Sequence, residues 1–117
     1  MKSVLERDKA NFIIWMNKNK KLEKKVSKDY YYRILRVENN ICTGIEDLLS
    51  TLEGFIELVE MIEKYSISIY KNKKKSDVLS GTLRSSVKKY GEYKYPLMAD
   101  FYKKPFVYNL QNNNLGP

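Results

Sequence analysis

From Ile45 onward, Ile45, Leu48, Leu52, Phe55, Val59 and Ile62 recur at alternating steps of three and four residues, which places all six on one face of a helix running to about Lys64. Such a face must be covered by other elements, so the chain is committed to helix-on-helix packing. The other faces carry Glu46, Asp47, Glu53, Glu57, Glu60 and Glu63, which concentrates the acidity of the protein there. Gly54 costs this helix about 1 kcal/mol relative to alanine and marks a close crossing or a bend. The seam could also suit a coiled-coil dimer, but it is short for one, and packing within the domain is favoured.

Other helices are legible on either side. Leu5, Phe12, Ile13, Trp15 and Met16 keep helical spacing up to about Asn19, with Ser3 as N-cap and Glu6 three positions later. The polar stretch from Asn17 to Lys25 reads as a basic connector. Ser27 is expected to cap a second helix running to about Asn40, with Tyr30, Ile34, Val37 and Ile41 on one face, and Asn39, Asn40 and Gly44 bracketing its end. Tyr65 to Tyr70 alternates and is β-branched, which fits either a strand or continued helix; a helical continuation into a basic loop, Lys71 to Lys75, is favoured. Ser76 then caps a further helix with Leu79, Leu83, Val87 and Tyr90 inward. The expectation is an all-α, compact bundle of four to five helices over residues 1–95. Residues 96–117 form an irregular C-terminal extension, aromatic from Tyr95 to Tyr108 and packed back on the bundle, with a frayed tail from Gln111.

With 117 residues, 43% hydrophobic and 31% charged, the chain has the size and apolar content of a single folded domain. Its net charge of +8 makes nucleic acid the leading partner class, because lysine and arginine near a polyanion release condensed counterions. An anionic membrane fits less well, since no run approaches the roughly 20 apolar residues of a spanning helix. One cysteine, Cys42, rules out an intrachain disulfide and a multi-cysteine zinc site. The early charges Lys2, Glu6 and Arg7 do not fit a secretory signal, so a cytoplasmic protein is expected.

The absence of histidine removes the commonest general base and metal ligand, and with it any Ser-His-Asp or Cys-His arrangement. The carboxylates lie mainly on one solvated helix face, without the convergence a Mg²⁺-dependent nuclease needs. Gly44, Gly54, Gly81 and Gly91 are isolated, so there is no phosphate-binding loop. Neither enzyme activity nor a cofactor is expected, and Cys42 reads as a small buried thiol. The basic clusters carry the functional signal. Lys24, Lys25 and Lys28 open the second helix, Arg33 and Arg36 continue along it, and Lys73, Lys74 and Lys75 precede the last one, which carries Arg84, Lys88 and Lys89. Tyr31 and Tyr32, interleaved with them, would suit hydrogen bonds to phosphate or sugar.

Phe12-Ile13-Ile14-Trp15-Met16, the run Val26-Ser27-Lys28-Asp29-Tyr30-Tyr31-Tyr32-Arg33-Ile34-Leu35-Arg36-Val37-Glu38, and Thr82-Leu83-Arg84-Ser85-Ser86-Val87-Lys88-Lys89-Tyr90 in front of Tyr93 resemble the SAM-like core-binding domain. That helical module precedes the catalytic domain of tyrosine recombinases and phage integrases, and similar modules precede nuclease domains in some restriction enzymes. The resemblance covers about residues 8 to 94, on positions that are mostly hydrophobic or basic. It implies a SAM-like bundle with Lys28, Arg33, Arg36, Arg84 and Lys88 nearest the DNA backbone. The chain departs from the family in having no Arg-His-Arg-Tyr constellation, so Tyr108 is not read as a nucleophile, and the aromatic segment after Pro96 has no counterpart.

The expected function is therefore a non-catalytic module, monomeric, that contacts the phosphates of duplex DNA, with RNA also possible, beside a nuclease or recombinase domain. The alternative is a small phage or mobile-element protein that inhibits a host nuclease by occupying its nucleic-acid channel or gripping its guide RNA.

Overall fold

Ser3 starts the first helix reciprocally. Its hydroxyl accepts from the Glu6 amide at 3.1 Å, and the Glu6 carboxylate accepts from the Ser3 amide at 3.3 Å, which satisfies two donors that a helix start leaves free. The computed structural model describes residues 2–103. Along them α1 spans Val4–Asn19, α2 Lys24–Asn40, α3 Ile45–Leu49, α4 Leu52–Ile69 and α5 Lys73–Lys94. A 3₁₀ turn, Pro96–Met98, and a helical turn over 99–103 follow. Among the described residues there is no strand, and no helix is long and apolar enough to cross a membrane. The all-α bundle expected from the apolar spacing is what the chain forms.

The other two serines expected to cap helices, Ser27 and Ser76, sit one turn inside them. α2 begins at Lys24, with Glu23 in the N-cap position, and the Ser27 amide bonds to the Glu23 carbonyl at 2.9 Å. Ser27 itself is fully buried and donates from its hydroxyl to Asn17 Oδ1 at 2.8 Å, fastening α2 to α1. α5 is capped by Asn72, whose Oδ1 accepts from the Lys75 amide at 3.0 Å, while Ser76 is buried behind it. The cause is common to both. Lysine is a good helix former, so each helix extends back into its basic run: Lys24, Lys25, Lys73, Lys74 and Lys75 are helical, while Lys20, Lys21 and Lys71 stay outside.

The long acidic helix expected from Ile45 is two helices. Ser50 ends α3, its hydroxyl donating to the Asp47 carbonyl at 2.7 Å, and Thr51 caps α4 by accepting from the Gly54 amide at 3.0 Å. Both halves still turn their apolar residues inward: Ile45, Leu49, Phe55, Leu58 and Ile62 are buried, so the seam is covered within the chain and is not a free dimerisation face. Gly54 lets α4 cross the backbone of α3, since a Cβ there would overlap the Leu48 carbonyl group. Gly54→Ala is accordingly expected to lower the unfolding free energy by about 2–3 kcal/mol, read as a lower denaturant midpoint at unchanged slope.

α5 forms the spine. It contributes Leu83, Val87 and Tyr90 to a core shared with Leu5, Phe12 and Met16 of α1, with Ile34 and Val37 of α2, and with α3 and α4. Phe12 meets Tyr90 edge-on at 5.2 Å. A polar clamp closes the same junction. Asp8 accepts from the Tyr90 hydroxyl at 2.8 Å and pairs with Lys94 at 3.0 Å, and Lys20 pairs with Glu92. The extension packs back as expected for its described part: Tyr102 is fully buried, donates to the Leu49 carbonyl at 2.6 Å, and sets its ring 4.8 Å from that of Phe55. Residues 104–117, which include Phe106, Tyr108 and the tail from Gln111, lie outside the described residues.

Burial raises the phenol pKa of both Tyr90 and Tyr102, and at Tyr90 the hydrogen bond to Asp8 adds to the effect. A folded pKa above the unfolded value means stabilisation that is complete below pH about 10 and lost as pH rises beyond it. In an alkaline titration followed at the tyrosinate band, these two phenols should ionise only together with loss of helical circular dichroism. Ionisation of all ten tyrosines with helicity intact would contradict this.

Candidate nucleic-acid interface

α2 and α5 lie side by side and run antiparallel. Lys20, just before α2, pairs with Glu92 near the end of α5, whereas Arg33 stands beside Val78 and Gly81 nearer its start. The lysines that open the two helices therefore fall at opposite ends of one seam. Lys73, Lys74 and Lys75 are exposed at one end, and Lys24 and Lys25 at the other. At 1.5 Å per residue along α5, the ends are about 27 Å apart.

Between them the seam is basic and aromatic. The half-buried ring of Tyr30 carries the Lys89 ammonium at 4.4 Å and the Arg33 guanidinium at 5.4 Å, so one ring from α2 orients a cation from each helix. Next to it runs a groove of about 360 Å³ with Tyr30 and Arg33 on one wall and Val78, Gly81, Thr82 and Ser85 on the other, Asp77 closing it at the end where it pairs with Lys73. The small side chains on the α5 wall leave room for a backbone to approach. Arg84 and Lys88 lie on the other flank of α5, toward α4. Burial pulls the Lys88 ammonium below its usual pKa, and the positive charges of Arg84, Lys89 and Lys103 pull in the same direction against Glu92. Cations crowded enough to oppose one another's charge are relieved by an anion.

The remaining expected residues are placed elsewhere. Arg36 donates from Nε to the Tyr65 hydroxyl at 3.0 Å and lies over that ring, which turns it to α4. Lys28 is exposed on the side of Tyr32, whose phenol pKa is lowered chiefly by a hydrogen bond from Lys9 at 3.0 Å, with Lys28 adding a smaller effect. Tyr31 is buried and does not offer its ring to a strand. Lys73 pairs with Asp77 at 3.3 Å. Reading the sequence missed Lys9, which lies over both Tyr31 and Tyr32, and Lys103, whose charge acts on Lys88, because both gain these neighbours only through packing.

The exposed carboxylates Glu53, Glu57, Glu60 and Glu63 lie on α4, while the basic helices carry exposed Asp29 and Asp77. No group of three or more histidine, cysteine or acidic side chains among the described residues is placed to hold a metal. Cys42 is half-buried, and its thiol pKa is raised by burial first and then by Glu57, Glu38 and Glu46. Less thiolate at a given pH means slower alkylation. At pH 8, iodoacetamide should modify Cys42 more slowly than it modifies a free thiol peptide; an equal or faster rate would contradict the burial. Comparison with known proteins finds no matching family model, no similar curated protein and no similar solved structure.

Proposed function

We propose that this protein binds nucleic acid without performing chemistry on it, chiefly through the phosphates of a duplex laid along the α2–α5 seam. The observation that carries the reading is the antiparallel pairing of the two basic helices, with lysines at both ends, Arg33 and Lys89 between them, and Arg84 and Lys88 on the adjoining flank of α5. A seam of about 27 Å matches about eight phosphates of one strand. Such contacts position a protein without specifying sequence. The resemblance to the SAM-like core-binding domain supports a targeting role beside a nuclease or recombinase.

Labelled unrelated duplexes and a single-stranded RNA, titrated at two salt concentrations, test this. Binding to every duplex that weakens steeply with salt is the expected result. No binding even at low salt would remove the proposal and turn attention to a protein partner such as a nuclease that the chain inhibits.

A further inference from the structure

A cavity of about 290 Å³ opens between the second half of α4 and the start of α5. One side chain in its wall is unspent. Ser80 is 3% exposed, and its hydroxyl finds no hydrogen-bond partner among the described residues. Helical serines can return the hydroxyl to the carbonyl one turn back, as Ser66 and Ser86 do at 2.8 Å. A buried hydroxyl left unmatched costs about 1–3 kcal/mol, so one that lines a cavity marks a place for a polar group of a ligand.

The chemistry around Ser80 narrows that ligand. Lys71, Lys73 and Arg84 line the same cavity together with Asp77, whose charge is met by Lys73 at 3.3 Å. Tyr70 stands at the rim, 40% exposed, and Glu63 faces in from α4. Three cations and a hydroxyl donor suit a phosphate. A carboxylate beside them repels a phosphate but accepts hydrogen bonds from sugar hydroxyls, as in dinucleotide sites, and an exposed tyrosine ring suits a base. The cavity lies at the lower end of small-molecule site volumes.

We propose that this cavity holds one nucleoside monophosphate unit, its phosphate on Lys71, Lys73, Arg84 and the Ser80 hydroxyl, its sugar toward Glu63 and its base on Tyr70. The unit arrives free or as the phosphorylated end of a strand; the strand-borne form rests on the nucleic-acid reading above, and the free form does not.

Adenosine monophosphate, inorganic phosphate and a 5′-phosphorylated single-stranded oligonucleotide are titrated into the full chain, with the Ile67 methyl and Ser80 amide followed by NMR. Adenosine monophosphate should shift both signals. Ser80→Ala should weaken it roughly tenfold or more, by loss of one hydrogen bond to a charged group, while thermal stability holds or rises because an unmatched hydroxyl is removed. Tyr70→Ala should weaken the nucleotide and leave inorganic phosphate unchanged. No shift with any probe, or phosphate binding as tightly as the nucleotide, would overturn the assignment. A cavity untouched in a chain that still binds duplexes overturns the cavity and leaves the seam. Occupancy by adenosine monophosphate in a chain that ignores duplexes upholds the cavity and removes the seam. Tighter binding of the oligonucleotide than of the free nucleotide identifies the strand end as the source.

Discussion

Tyr102→Ala should lower the unfolding free energy by about 3–5 kcal/mol, the usual cost of deleting a large buried aromatic side chain. The ring is fully buried against Phe55, its hydroxyl satisfies the Leu49 carbonyl, and α5 makes room for it at Gly91, where a Cβ would come within 2.6 Å of the ring. A domain of this size has only about 5–15 kcal/mol in total, so urea denaturation will resolve the change easily. Tyr102→Phe isolates the hydrogen bond and should cost about 1–2 kcal/mol. A chain shortened to residue 95 should lose at least as much as the alanine variant. If the alanine variant loses less than about 1 kcal/mol, residues 96–103 are not part of the core.

Neutralising the cations in the middle of the seam and on the adjoining flank of α5 should have the largest effect on binding. Arg33, Arg84, Lys88 and Lys89 replaced together by glutamine are expected to weaken duplex binding about a hundredfold or more near 100 mM salt, and to flatten the slope of log affinity against log salt by about 3 to 4, since each phosphate contact contributes about 0.9. All four are partly exposed, and circular dichroism should show the helices intact. Replacing Glu53, Glu57 and Glu60 on α4 by glutamine serves as the control and should change affinity less than about threefold. A gain in the carboxylate variant comparable in size to the loss in the other would mean that net charge, not the seam, governs binding.

The apolar stripe of Ile45 to Ile62 was legible because a helix that buries one face repeats its side chains at a fixed period. The break inside it was not, because Ser50 and Thr51 fall on positions where a continuous helix also tolerates polar residues. The true caps, Glu23 and Asn72, were hidden by the serines four residues on, which serve the interior instead. The basic residues were legible one by one. Their arrangement was not: it depends on α2 and α5 running antiparallel and on the Tyr30 ring lying between Arg33 and Lys89, neither of which has a local signal. Ser80 looks like any helical serine until the cavity beside it is seen.

The clamp between Asp8 and the Tyr90 and Lys94 side chains joins residues 82 positions or more apart. The junction of the first and last helices is thus closed only when both are in place, and no shorter run of helices contains it. Amide protons in the middle of α5 should then exchange with solvent only when the whole molecule opens, whereas those of five-residue α3 are released by local fluctuations. The molecule would open as a single cooperative unit, with the seam helices among the last to give way.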